Sequence, residues 1–393
     1  MTEFKTLNDL FENQKDFYSM FNNYGDDATR YALLRSLDNN NIKEFLGSRI
    51  DTSVTKDLLK NAYNSDVTID EVINYIMLKK EEMLKERKLN EEMLISIVED
   101  MNVVNCGIRN DQVDDIIKPF VRNKDFSNLD EMTQKLDDEL LPRIRNYVYW
   151  SYFNQLSNDL IENSFYSHSS IIPTLRKIHD IDFFIKVDGK IIPFDLKITH
   201  ISDEFFNIYS KGLTKSDKED SYTLKNETNE LKKIKNIYKE AKDEYNLPNF
   251  GGLKKLELIE ILKEQNSETI NKQLEEIYDE RFNMIKEVSN DTTSLEWWNY
   301  KYQGERLFSN NNRFFVFLAH EKDFKDGKDL KKDITSIRDS ITNKLDNLTL
   351  DDIHQIKYIY EKDKKVNGNY TINCISILIT KEWWTSLFLN IIF

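Results

Sequence analysis

Apolar residues recur every three or four positions through the first third of the chain. LNDLFENQKDFYSMF, TIDEVINYIMLKKEEMLKERK and NEEMLISIVEDM all carry this spacing, which predicts amphipathic helices. Thr68 and Asp70 mark one helix start. A helical accessory or recognition domain is expected over residues 1–140. A further helix is expected over 142–163, with Pro142 in its first turn. Its aromatics Tyr147, Tyr149, Trp150, Tyr152 and Phe153 are too dense for one narrow stripe, so contacts on more than one side are expected.

The pattern then changes. SIIPTLRKI predicts a strand, and DIDFFIKVDGKIIPFDLKIT (180–199) two more, joined by Asp188-Gly189. Residues 203 to about 305 return to charged, helix-rich sequence. RFFVFLA (313–319) reads as a buried strand and DLKKDITSIRDSITNKLDNL (329–348) as an amphipathic helix. HQIKYIYEK and YTINCISILIT read as two final strands around an Asn367-Gly368 turn. The expected fold is an α/β core in two parts, 141–205 and 292–393, interrupted after its third strand by a helical insertion over 206–291.

The hairpin poses a chemical problem, because strands with buried faces seldom carry unpaired carboxylates. Side chains alternate across a strand. Asp180, Asp182, Phe184 and Lys186 therefore share one face, and Ile181, Phe183, Ile185 and Val187 the other. On the second strand Ile192, Phe194, Leu196 and Ile198 form an apolar face, while Asp195, Lys197 and Thr199 point the opposite way. Asp-Gly favours a two-residue type I′ turn. With Asp188 in that turn, Val187 pairs with Lys190, Phe183 with Phe194, Asp182 with Asp195 and Asp180 with Lys197. The apolar faces coincide only in this register. Asp182 and Asp195 then stand opposite each other, with Cβ atoms roughly 5 Å apart. Two such carboxylates repel unless a cation lies between them. A hard divalent ion such as Mg²⁺ suits their oxygens. Lys197 can neutralise a phosphate oxygen, or orient or deprotonate an attacking water, which suits metal-assisted phosphodiester hydrolysis. The plainer reading is a surface hairpin with an Asp180–Lys197 ion pair and solvated acids.

Asp182 followed by Asp195-Leu196-Lys197 on the next strand resembles the PD-(D/E)xK nucleases, among them many type II restriction endonucleases. Ile181 stands where that motif has proline. The resemblance spans roughly 142–200 and 292–393 and implies a restriction-endonuclease-like fold, a mixed sheet flanked by helices. It implies that Asp182, Asp195 and the Leu196 carbonyl hold Mg²⁺, with Mn²⁺ able to substitute, and that Lys197 assists the water. It also implies a glutamate from the preceding helix, for which Glu162 is the first match and Asp159 the second. Asp180 and Thr199 would support these groups from behind. Gln303 and Arg306, in WNYKYQGERLFSNNNRFFVFLA, are candidates for substrate contact or for plain helix-surface positions.

Within the insertion, LKKIKNIYKEAKDEYNLPNFGGLKKLELIEILKEQ (231–265) resembles the helix–extended–helix pattern of SAP and Rho N-terminal-like modules, which bind DNA or RNA. Lys232, Lys233, Lys235, Lys254 and Lys255 would then contact phosphates. An ordinary helical hairpin with solvated charges fits the same pattern.

Composition adjusts this picture little. The chain has 393 residues, 39% apolar and 32% charged, with 10 Gly and 5 Pro. Two or three folded domains and no long flexible linkers are expected. The net charge of −14 argues against a protein that coats nucleic acid, yet leaves room for a local basic surface beside an acidic metal site. Cys106 and Cys374 suggest neither a disulfide framework nor a zinc site. The acidic N-terminus has no signal-peptide core, and no apolar run reaches a membrane span. A cytoplasmic location is therefore expected. The apolar end SLFLNIIF suggests a docked terminal element or subunit contact. The histidines 168, 179, 200, 320 and 354 lack metal-motif spacing, although His179 and His200 flank the hairpin. Trp297-Trp298 and Trp383-Trp384 read first as core or interface pairs and second as base-stacking surfaces. No P-loop, dinucleotide fingerprint or nucleophile elbow occurs.

The functional expectation is a Mg²⁺-dependent endonuclease cutting double-stranded DNA, with a homodimer or a defence-system partner possible. One alternative is a low-specificity nuclease effector of another anti-phage system. Another is a non-catalytic DNA-binding scaffold on a nuclease fold.

Overall fold

The computed structural model describes the chain apart from residues 14–16, 102–112, 124–126, 179, 211–228, 303–310, 322–323, 325–326, 361–367 and 382–393. Cys106, His179, Gln303, Arg306, Asn367, the Trp383-Trp384 pair and the apolar C-terminal end lie outside the described residues.

The N-terminal periodicity folds into helices α1 (Phe4–Asn13), α2 (Phe17–Arg35), α3 (Asn39–Leu46), α4 (Leu58–Asn64) and α5 (Ile69–Asp100). The two segments read around residue 89 are one helix of 32 residues. Thr68 starts it as one half of a capping box. Its Oγ1 accepts from Glu71 N at 3.2 Å, and its own N–H donates to the Glu71 carboxylate at 2.8 Å. These bonds and Arg49 hold the Glu71 carboxyl down at about 2. Helices α6 (Val113–Arg122) and α7 (Leu129–Lys135) lead to the long α8 (Leu141–Tyr166), which carries Pro142 in its first turn. On α8, Trp150 and Phe153 are buried and stacked at 5.1 Å, whereas Tyr149 and Tyr152 face solvent. The dense aromatics of this helix therefore divide between core and surface.

Strands β1 (Ile171–Ile178), β2 (Ile181–Val187) and β3 (Lys190–His200) follow as an antiparallel meander. Asp188 and Gly189 both take positive φ, 47° and 78°, as a type I′ turn requires. Next come α9 (Asp203–Tyr209), α10 (Asn229–Lys242), α11 (Lys255–Glu264), α12 (Glu268–Asn290) and α13 (Thr293–Tyr302). The last described elements are β4 (Arg313–His320), α14 (Ile334–Asp346), β5 (His354–Tyr360) and β6 (Gly368–Lys381). One mixed sheet has the order β1-β2-β3-β4-β6-β5, with β3–β4 and β4–β6 parallel. Parallel neighbours cannot be joined by a tight turn. The α9–α13 insertion is the crossover from β3 to β4.

Three apolar layers clothe the sheet. The N-terminal helices pack on Ile172, Ile181 and Phe184 of β1 and β2. They also cover the sheet edge, where Leu175 N–H and Arg176 N–H donate to Ser36 O at 3.1 and 3.0 Å. Those two edge amides are thereby closed to another strand. Helices α8 and α14 pack on Phe183, Ile185, Phe194, Phe314 and Val316. Helices α9, α12 and α13 cover Phe315, Phe317, Ile372 and Cys374, with Trp297 and Trp298 buried among them. That Trp pair is core. Helices α10–α12 have an apolar cluster of their own around Ile234, Tyr238, Leu258 and Leu274. No helix among the described residues is long and apolar enough to cross a membrane.

Candidate active site

The site forms where β3 parts from β2. Their paired register runs from Val187–Lys190 to Phe183–Phe194, as the Asp-Gly turn predicts. One step further on, β3 takes β4 as its partner, and Asp195 aligns with Arg313 and Lys197 with Phe315. The Asp195 N–H donates to Asn312 O at 3.0 Å. Asp182, at the start of β2, fills the opening between the strands. Its Oδ2 accepts the Leu196 N–H at 2.7 Å. A side chain thus takes the place of a ladder bond, and a carboxylate is left pointing at β3.

Burial first, and then the charge of Asp195, push the Asp182 carboxyl up to about 7, with the bond from Leu196 pulling the other way and Glu162 adding a smaller push. Two carboxylates compete for one poorly solvated space. Asp195 is also within 3.3 Å of Arg313 Nε, a buried guanidinium at the start of β4.

Glu162 reaches this corner from α8. Tyr166, one helical turn on, donates its hydroxyl to Glu162, and the Asp182 carbonyl lies 3.3 Å from the same phenol oxygen. Thr174 Oγ1 donates to the same carbonyl at 3.0 Å. Burial and the Glu162 charge raise the Tyr166 phenol far above its ordinary range, so it remains a donor. Arg87 lies over the Tyr166 ring at 5.3 Å. Asp159 instead accepts from Gln155 at 2.8 Å on the exposed side of α8.

Two placements differ from the strand reading. Asp180 is not in the strand: it sits at φ 63° in the turn before β2, because Ile178 already pairs with Ile181. Its carbonyl accepts from Asn311 Nδ2 at 3.4 Å, and the ladder that would set it across from Lys197 ends before reaching it. Thr199 is buried beside Phe317, four residues and roughly 13 Å along β3 from Asp195. It is too far away to support the acid pair directly.

The lysines of 231–265 also divide. The segment is helix–extended–helix, with Tyr238 OH donating to Pro248 O at 3.0 Å across the bend. Lys232 and Lys254 are exposed and Lys235 is half-buried. Lys233 pairs with Glu280. Lys255 is turned inward, 2.7 Å from Asp203 and 3.2 Å from Glu230. Arg281 completes this network at 2.9 Å from Glu230 and 3.2 Å from Asp203. Lys255 thus holds the insertion together rather than lining an outer edge.

Comparison with protein-family models, curated proteins and solved structures finds no match. The site must be judged on its chemistry.

The Asp182 and Asp195 carboxylates meet at the strand opening, and with the Leu196 carbonyl that the resemblance implies, the donor set would be all hard oxygens. Mg²⁺ is commonly held by one or two protein carboxylates, with water and substrate phosphate completing its shell. Among the described residues no three His, Cys, Asp or Glu side chains form a metal cage, so Glu162 does not close the pair into a triad. The apposition of the acids fits a divalent ion shared with substrate better than a closed structural site. Arg313, Tyr166 and Asn312 are missing from the sequence reading. Arg313 opens a strand read only for its apolar run, and the i, i+4 spacing of Glu162 and Tyr166 was the one signal available.

Proposed function

We propose that this chain is a Mg²⁺-dependent endonuclease that hydrolyses double-stranded DNA, with a restriction-endonuclease-like core and type II restriction activity. The observation that supports it is the Asp182–Asp195 pair at the parting of β2 and β3, with Asp182 pushed up to about 7 by burial and by its neighbour. A pair under such repulsion gains from a cation, and a bound Mg²⁺ would supply charge neutralisation at the scissile phosphate. Lys197, two residues beyond Asp195 and on the same face, would contact a phosphate oxygen or orient the attacking water. Arg313 holds Asp195 in position from β4. Tyr166 fixes Glu162 beside the Asp182 backbone. Lys232 and Lys254, which are exposed on the insertion, would be the phosphate contacts of that module.

The test is incubation of the purified full chain with plasmid DNA and Mg²⁺, with and without EDTA, followed by sequencing of the ends. Asp195→Ala and Lys197→Ala are expected to lower cleavage by at least about 100-fold, on the order of what a removed electrostatic group costs, with unchanged far-UV circular dichroism. Full activity in Asp195→Ala would sink the proposal. A fixed sequence at the ends supports restriction, and scattered ends support a low-specificity effector.

A further inference from the structure

A cavity of about 510 Å³ opens on the face of β3 that carries Asp195, between the N-terminal helices and the β5–β6 end of the sheet. Its floor includes Pro193, two residues before Asp195 and so roughly 7 Å from it along the strand. Three contacts build its walls. Asn312, buried, donates through Nδ2 to Pro193 O at 3.1 Å and accepts the Asn373 N–H on Oδ1 at 3.0 Å. It thereby ties β3 to β6 under the cavity. The hairpin turn is fastened to the opposite rim, where Asp188 accepts the Leu350 N–H at 3.1 Å. Across from both lies α2, which bends at Gly25 (φ 45°, ψ −119°) and presents Phe21 and Asn22 to the opening.

The lining has a definite chemistry. Asn22, Gln355 and Asn373 offer amide groups, each with donors and an acceptor. Phe21 and Pro193 offer flat apolar surface. The charged groups are one of each sign, Lys190 and Asp26, so the cavity is not an anion site. An uncharged planar ring with donors and acceptors around its edge matches this set. Amide side chains read such edges in pairs, as with asparagine or glutamine on adenine. The volume lies in the range of small-ligand sites.

We infer that this cavity receives a single nucleobase, unstacked from the strand whose phosphate lies at Asp182 and Asp195. The inference rests on the nuclease reading for its placement, since the cavity begins one same-face step from the acid pair. Extruding a base costs a few kcal/mol and returns specificity through its exposed edge. Base choice at the position beside the cut would then be set by Asn22, Gln355 and Asn373, on a wall that the N-terminal helices help to build.

The experiment uses the four free deoxynucleosides, which carry no phosphate and need no metal, and the full chain observed by saturation-transfer NMR. One nucleoside is expected to bind more tightly than the other three. The Asn22→Ala/Gln355→Ala double variant changes two exposed side chains that line the cavity. It should weaken that nucleoside by roughly 5- to 150-fold, the worth of one paired base contact. Asp195→Ala should leave it unchanged. Binding by none of the four, or equal binding to wild type and the double variant with retained circular dichroism, overturns the inference. Plasmid cleavage by the same preparations is scored separately. Cleavage without nucleoside binding removes the base pocket and leaves the nuclease, and binding without cleavage does the reverse.

Discussion

Asp182→Asn is expected to make the metal-free protein more stable at pH 8 while abolishing its response to Mg²⁺. The reasoning starts from the Asp182 carboxyl, raised from an ordinary 3.8 to about 7, first by burial and then by Asp195. Between these values the folded state holds a proton that the unfolded chain has released. Folding stability from this group is therefore complete below about pH 4 and is lost as pH rises through 7. Roughly three units at about 1.4 kcal/mol each set an upper bound of ~4 kcal/mol, and partial water access reduces it. The amide that replaces the carboxylate can still accept the Leu196 N–H through its oxygen, so the gain should be about 1–4 kcal/mol. At ~2.1 cal/mol/K per residue of unfolding entropy this is a rise of about 1–5 °C in Tm if the chain unfolds as one unit. Urea titrations at pH 4 and pH 8, with and without Mg²⁺, measure it. The two proteins should converge at pH 4 and separate at pH 8. Millimolar Mg²⁺ should then stabilise wild type, by mass action on the native state, and leave the variant unmoved. A variant less stable than wild type at pH 8 without metal, or an equal Mg²⁺ shift in both, would refute the idea that this carboxylate is strained for want of a cation.

Lys80, buried and donating to His168 O and Ile171 O at 2.7 Å each, is depressed by burial to about 8. The unfolded chain therefore binds the extra proton between about pH 8 and 10.5, and the stability of wild type relative to Lys80→Met should rise across that window by at most ~3 kcal/mol. A flat difference in urea titrations would show the amine to be well solvated. Arg281→Ala should cost about 3–5 kcal/mol in the insertion, because it leaves Glu230 and Asp203 with Lys255 alone and uncovers Phe206, over whose ring the guanidinium lies at 4.0 Å. Hydrogen exchange should show the loss in α10–α12 and leave the amides of β4 protected, and uniform loss over the whole chain would contradict this layout.

What the sequence determined by itself was local. The alternation of apolar residues in 181–198, together with an Asp-Gly pair that tolerates two positive φ angles, allows one hairpin register, because a one-residue slip would turn every core residue outward. The same holds for the Thr68–Glu71 cap, whose partners are close neighbours in sequence, and for the helical content of the insertion. The tertiary structure decided everything that depends on which segments meet. Asp180 and Asp182 have the same parity and the same chemistry. Only the Ile178–Ile181 pairing assigns the first to a turn and leaves the second facing β3. Lys255 and Lys254 are neighbours in a basic stretch, yet one is turned inward against carboxylates 52 and 25 residues away while the other meets water. Arg313 and Asn312 reach the site from far beyond Asp195 in the chain because a parallel partner for β3 must come from a crossover, and no periodicity records where a crossover returns. A strand's pattern states which face is apolar. It does not state what lies against the polar one, and the candidate chemistry of this protein sits on that face.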